Sequence, residues 1–464
     1  MAVQLFKTFS LGVRVVLAMA VLSSLLLLFF SHPDRAGLDF WTFSKTHVVM
    51  YVPETERWNQ RADAREPVRI SLLSGESLNR RILSSFQSDT PGPDAVEVYS
   101  SIAAQCFKGP LQDVGFVDLT EKIRAEGLAS KFNKTSLSPW ISRGRNFGLP
   151  HDVHPVVLGY RADIIEAAGI DMSAIETWGD FVRVLSPLVR DVDGDGYIDH
   201  YLLNLWETQP GLIELLMLQA GGSLFDKQDN LAMDSDVNAK VLATIVSWTT
   251  GRRPIATNAP EEDATSNKMR QEGYILCNLV PDWLAGMWEI YTPNMAGKYK
   301  LMPLPAWERG GRRVSVLGGT MVGIPRGARD FDTAWNFVKH LYLSREVARQ
   351  LYRKTRIISP VVEFWSDPVY DEPVSFFGDQ PIGKIFIKYA PEVPERSSSA
   401  YNSLALNALT HAALKLKALV ANEPDMASGR MRSEAKSLLT EAQRTVARQM
   451  ARNVFLKPTV RGAT

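Results

Sequence analysis

Between residues 38 and 98, three short apolar runs alternate with two longer amphipathic ones, and that alternation constrains the fold more than any other feature. Residues 38–43, 67–73 and 94–98 read as strands, the second through its alternating Val68, Ile70 and Leu72. Residues 46–60 and 75–87 read as helices, and the second gathers Leu78, Ile82, Leu83 and Phe86 on one face. Strands spaced by helices of this length form parallel βαβ units in an open sheet. The ligand edge of such a sheet lies where strand C-termini meet the next loop, at residues 41–45, 74–76 and 99–101. Pro53, inside the first helix, predicts a kink or a break.

The chain has 464 residues, too many for one compact core, so two or three domains are expected. A second strand-and-helix series follows. Residues 155–159, 273–280, 299–305 and 314–324 read as strands. Helices are expected at 161–168, 178–189, 210–220, 237–249, 262–272 and 331–343, and through most of the chain after 401. With 52 Lys and Arg against 51 Asp and Glu, nothing favours a polyanionic partner, and no nucleic acid is expected.

Residues 147–181 run in a distinctive order: a Gly-Leu-Pro turn at 148–150, a polar patch of His151, Asp152 and His154, an apolar strand, a Tyr-Arg-x-Asp helix start at 160–163, and a second helix opened by Thr177 and Trp178. This order resembles the crossover segment of bacterial extracellular solute-binding proteins of family 1, the ligand-capturing components of ABC importers, mostly for sugars. Further motifs follow in the family's order: the Gly-Gly turn at 221–222, the stretch 273–283 (with Leu276 and Cys277 in place of Ala-Met), the Gly-Gly strand at 314–325, and the helix at 334–344. FWTFS at 40–44 and GLPHDVHP at 148–155 resemble the arabinooligosaccharide-binding branch.

The resemblance implies an α/β, two-lobe periplasmic binding protein fold of type II, with hinge-linked open sheets and a helical C-terminal region. Residues 37–150 and 313–355 would form lobe I, and 151–312 and 356–464 lobe II. A monomer would close on a sugar or oligosaccharide and hand it to ABC transporter permease subunits outside the cytoplasm. No enzymatic chemistry is implied.

Sugars need aromatic platforms for their C–H faces and polar groups for their hydroxyls. The candidates are Trp41, Ser44, Glu76 and Tyr99 at the first lobe's strand ends, and Asp152 and His154 at the crossover. Asp282, Trp283 and Tyr401 match positions where the family places cleft contacts, and Gly319 and Thr320 would let backbone approach a ligand. His151, Asp152 and His154 lack a further metal ligand nearby in sequence. Competing readings are a non-sugar ligand (polyamine, anion or metal) and a glycan hydrolase, for which Glu76 and Asp152 would be the paired carboxylates. A tethered sensor is a third, although no signalling domain is recognisable.

Three local features complete the reading. Lys7 and Arg14 precede an apolar run at 15–30, which reads as a signal peptide or an uncleaved membrane anchor spanning residues 1–36. Cys106 and Cys277 fall in different lobes and are expected to be buried free thiols. Asp191, Asp193, Asp195, Tyr197 and Asp199 follow a D-x-D-x-D-G calcium loop, so a structural Ca²⁺ is expected, although Leu202 replaces the bidentate Glu at the twelfth position.

Overall fold

The structure is a computed structural model. It describes residues 10–29, 37–61, 66–88, 90–205, 209–260 and 263–455. Part of the predicted signal segment and the start of the 262–272 helix lie outside the described residues.

The first βαβ series forms as expected. Leu38–Thr42 pairs in parallel with Val68–Leu72 on one side and Ala95–Tyr99 on the other. Thr320–Gly323 returns antiparallel between Ala95–Tyr99 and the short Leu149–Pro150 strand, completing a five-stranded sheet. Helices Lys45–Asn59 and Gly75–Gln87 flank it, each capped by a serine: Ser44 accepts from His47 N and Ser74 from Ser77 N. Pro53 does not break the first helix. Proline removes the bond to the carbonyl four residues earlier, and that residue, Val49, is exposed, so water can serve the freed carbonyl.

The second sheet is built around Pro155–Arg161. Cys277–Pro281 pairs antiparallel along one edge; Tyr299–Met302 and Ser315–Val316 pair antiparallel with it as well. All seven of its residues are buried, which explains the unbroken apolar run at 155–159. Arg161 completes this strand opposite Tyr299, so the helix expected at 161–168 shrinks to Ala162–Ile165. The expected helix at 178–189 ends at Leu185 and continues as a 3₁₀ turn, Ser186–Leu188.

The strand expected at 314–324 is two strands. Ser315–Val316 belongs to the second sheet and Thr320–Gly323 to the first. The break falls at Gly318 and Gly319, whose φ values of 99° and 125° a side chain rarely allows. The chain likewise leaves the first sheet at Pro150 and enters the second at Pro155. Two short crossovers, His151–His154 and Leu317–Gly319, therefore join the sheets side by side.

Helices Asn402–Asn422 and Ser428–Met450 pack on each other and on Asp236–Thr249. Their buried seams include Leu409, Ala413 and Leu416 on one and Leu439, Ala442 and Val446 on the other. These belong to one apolar core that runs from Trp41 and Val96 beside the first sheet to the C-terminal helices.

Candidate functional site

The two crossovers meet in a buried ionic knot. His154 lies between two carboxylates, with Nε2 3.0 Å from Asp152 Oδ2 and Nδ1 2.6 Å from Asp282 Oδ1. Both ring nitrogens face carboxylates that can only accept, so the ring is doubly protonated. Burial opposes that charge, but Asp152 and Asp282 outweigh it and lift the His154 pKa to about 10. Burial likewise favours a neutral Asp152, yet His154 and His151 hold its carboxyl far below the usual range. The knot ties four chain segments together. Thr320 N donates to Asp152 Oδ2 at 3.1 Å, and Ile358 N donates to Asp282 Oδ2 at 2.9 Å. His154 itself adopts φ 54°, a left-handed backbone that a β-carbon disfavours.

A second buried cluster adjoins it in the first lobe. Glu97 accepts from Thr42 Oγ1 (2.5 Å), Tyr51 OH (2.5 Å), Tyr342 OH (2.5 Å) and His47 Nδ1 (2.9 Å). Burial raises its pKa, but His47, His151 and the Thr42 bond together outweigh burial and hold the carboxyl well below its usual value. Burial pushes His47 down, so His47 is a neutral donor at pH 7. Its ring stacks on His151 at 4.2 Å between centroids, while His151 Nδ1 lies 3.3 Å from Asp152 Oδ2. His151 thus links the two clusters. Metal-capable atoms of His47, Glu97 and His151 lie within 4.8 Å of one another, companions that sequence order hid. Glu97 has already filled its acceptor sites with four protein donors, so the set reads as a hydrogen-bonded network.

Above the knot lies the accessible surface between the sheets. Tyr99 is 39% exposed at the end of its strand, stacked on Phe43 at 3.7 Å and lying against Gly75. Trp283 is partly exposed on the opposite side, and its Nε1 donates to Leu317 O at 3.2 Å. Gly318 is exposed between them. A β-carbon there would approach His154 Cδ2 at 2.9 Å and Trp283 Nε1 at 3.1 Å. At Gly319 it would fall on the guanidinium of Arg396, 2.4 Å from Nη2. Glu214 stands one helical turn after Gly211, whose β-carbon would touch Leu317 at 3.4 Å.

The sequence candidates divide accordingly. Tyr99 and Trp283 are surface-accessible platforms on opposite sides of the crossovers. Asp152, His154, Asp282 and Thr320 are buried, and protein partners occupy both His154 ring nitrogens, Asp152 Oδ2 and both Asp282 carboxylate oxygens. Any hydroxyl contact from them would require those bonds to be given up. Trp41 is core, with 6% exposure. Ser44 caps a helix and also bonds Thr46. Glu76 is exposed and pairs with Arg80 at 3.1 Å. Tyr401 is buried, and its hydroxyl has no hydrogen-bond partner among the described residues. Sequence reading missed Glu97, Glu214 and Arg396. The first two carried a signal, since each is a lone charge within an apolar run, AVEVY and LIELLML. Nothing local marks Arg396.

The acidic loop is ordered by its own backbone. Asp191 accepts from Gly194 N (2.6 Å) and Gly196 N (2.8 Å), Asp193 from Asp195 N (3.1 Å), Asp195 from Tyr197 N (2.8 Å), and Asp199 from Val192 N (2.6 Å). Carboxylate oxygens of Asp191, Asp193 and Asp195 come within 4.8 Å of one another, all exposed. Leu202, at the twelfth position, is fully buried and supplies no ligand. A surface cavity of about 780 Å³, lined by Trp58, Arg61, Asp332, Lys339 and His340 among others, shares no residue with the knot or the surface above it.

No family model matches the chain. It is 25% identical over 391 residues to the arabinooligosaccharide-binding protein of Halalkalibacterium halodurans, covering 80% of this chain and 82% of that one. It is 26% identical over 332 residues to the arabinooligosaccharide-binding protein of Bacillus subtilis, covering 68% and 71%. Among solved structures, the sugar-binding protein MalE of Xanthomonas citri superposes with a TM-score of 0.69 at 16% identity, covering 89% of this chain and 99% of that one. The GacH receptor of Streptomyces glaucescens, described unliganded and with acarbose, superposes at 0.68 with 14% identity, covering 89% and 98%. In sequence the chain is thus similar to the arabinooligosaccharide-binding proteins, and in fold to the two-lobe, MalE-like binding proteins.

Proposed function

We propose that this chain captures a sugar or oligosaccharide in the cleft above the crossovers and delivers it to an ABC transporter permease. The similarity to two arabinooligosaccharide-binding proteins over most of the chain carries the reading. The exposed aromatic faces of Tyr99 and Trp283, on opposite sides of the crossovers, support it. Two crossovers between two sheets supply a hinge, and a ligand touching both sides favours the closed state over the open one. Titration calorimetry of the full chain in detergent tests it, with arabinotriose, maltotriose, galactobiose, spermidine and sulfate as probes. Binding of a sugar supports the reading; tight binding of spermidine or sulfate with no sugar bound refutes it.

Two finer features belong to the same proposal. Leu11–Phe29 is a 19-residue apolar helix, about 28 Å long at 1.5 Å per residue, close to the thickness of a bilayer's hydrocarbon core. We read it as an anchor that holds the binding lobes at the outer face of the inner membrane. Retention in carbonate-washed membranes and release by detergent would support this; a soluble chain shortened by the segment would exclude it. The acidic loop at residues 191–199 we read as a Ca²⁺ site that stiffens the second lobe, supported by its D-x-D-x-D-G spacing and converging carboxylates.

A further inference from the structure

Two charged side chains beside the 317–319 crossover form no ion pair among the described residues. Glu214 is the single charged residue in the helix Pro210–Gln219, whose other turns are almost wholly buried. Its carboxylate joins no hydrogen bond or ion pair with any described residue. Arg396 reaches in from the segment between the Ile382–Tyr389 and Asn402–Asn422 helices. Its guanidinium lies on Gly319, its Nη1 donates to Gly318 O, and it forms no ion pair among the described residues. The Arg396 segment is held from both sides: Glu395 pairs with Lys134 at 3.3 Å and with Lys227 at 3.7 Å, and Ser138 Oγ donates to Arg396 O at 3.4 Å.

Gly211, one turn before Glu214 on the same helix face, packs on Leu317, and Arg396 lies on Gly318 and Gly319, so both charges stand beside the same crossover yet form no ion pair with each other. Burial raises the Glu214 carboxyl to about 7, and Arg396 only partly offsets the rise. Burial also disfavours the Arg396 charge, with Asp152 and Glu214 as its nearest counter-charges. Both side chains keep some solvent contact, as groups lining a narrow cleft do.

We propose that Glu214 and Arg396 are paired specificity determinants that grip vicinal hydroxyls of one sugar ring and restrict the cleft to neutral, polyhydroxylated ligands. The inference rests on the sugar-capturing reading and goes beyond it by naming the residues and the excluded ligands. A hydroxyl can donate to Glu214 and accept from Arg396 at once, so a diol completes both groups without adding charge. A carboxylated sugar would satisfy Arg396 but confront Glu214, with Asp152 behind it. A polyamine would satisfy Glu214 but confront Arg396. Either charged ligand leaves one buried charge opposed, an arrangement that suppresses wrong partners.

The test is calorimetry at pH 8 on the full chain in detergent, with arabinotriose, maltotriose, galactobiose, a galacturonate trisaccharide and spermidine. The wild-type chain should bind one of the neutral sugars, and the two charged probes at least tenfold more weakly. Glu214→Gln and Arg396→Met should each weaken that neutral sugar about tenfold or more, at an unchanged melting temperature. The double variant should lose less than the product of the two, because both grip the same diol. A uronate or polyamine bound as tightly as any neutral sugar overturns the proposal from the wild-type chain alone, even if a variant fails to fold. Folded variants that bind the sugar like wild type also overturn it, while leaving the sugar-capturing reading intact. Failure of every sugar to bind wild type overturns that reading itself, and the proposal with it.

Discussion

Substituting His154 with Asn tests the ionic knot most directly. Asn tolerates the left-handed backbone at this position better than any other uncharged polar residue, so the change removes the charge with little added strain. Two independent routes give the magnitude. Removing one partner of a buried ion pair costs about 3–5 kcal/mol, because the remaining charge is left uncompensated. The rise of the His154 pKa from 6.5 to about 10 corresponds to an upper bound of about 5 kcal/mol. The folded value lies above the unfolded one, so the contribution is full below pH 6.5 and is lost as pH rises through 10. Asp152 acts at the other end: its depressed carboxyl contributes above the ordinary carboxylate range and loses that contribution as pH falls. Urea unfolding followed by tryptophan fluorescence at pH 6 and pH 10 reads the difference. Wild type should exceed His154→Asn by about 3–5 kcal/mol at pH 6, and most of that gap should vanish at pH 10. Lysines and tyrosines that titrate near pH 10 act on both chains and cancel in the gap. A gap equally large at both pH values would refute the charged clamp; so would a gap below about 1 kcal/mol at pH 6.

Millimolar Ca²⁺ should raise the melting temperature of the full chain by a few degrees, equivalent to about 1–2 kcal/mol, and Asp193→Asn should remove the rise; no shift in wild type would exclude the site. Trp283→Ala should weaken oligosaccharide binding by about tenfold, and Trp283→Phe, which keeps a stacking face, should restore most of it; calorimetry distinguishes the two. Gly319→Ala should destabilise the chain by about 1–3 kcal/mol, since its φ of 125° and the guanidinium of Arg396 both exclude a β-carbon; a melting temperature equal to wild type would contradict this. Cys277 is fully buried and Cys106 partly so, and burial pushes the Cys106 thiol up to about 12. Both should resist iodoacetamide in the native chain and react fully in urea.

What was legible in the sequence was periodic. Short apolar runs and amphipathic helices around residues 38–98 marked the first sheet because its first and third strands are almost wholly buried while the helices bury one face. The all-apolar run after His154 likewise marked a strand covered on both faces. Pro53 misled because local propensity is silent about which carbonyl faces water. The expected strand at 314–324 misled because its residues suit either sheet; only the Gly318-Gly319 pair hinted that it changes sheets midway.

The candidate site was legible by element but not by depth. The segment holding His151, Asp152 and His154 was located, whereas the partners that consume their polar atoms come from 128 residues away at Asp282 and 168 away at Thr320. Sequence spacing cannot show that a polar side chain already has protein partners, so the ionic knot was invisible in it. The corresponding signal runs the other way. A charge stranded in an apolar run must find a protein partner, shift toward its neutral form, or face water or a ligand. Glu97 found four partners within its lobe. Glu214 found none among the described residues, and that difference between two glutamates moves the search for ligand contacts from the knot to the side of the second crossover.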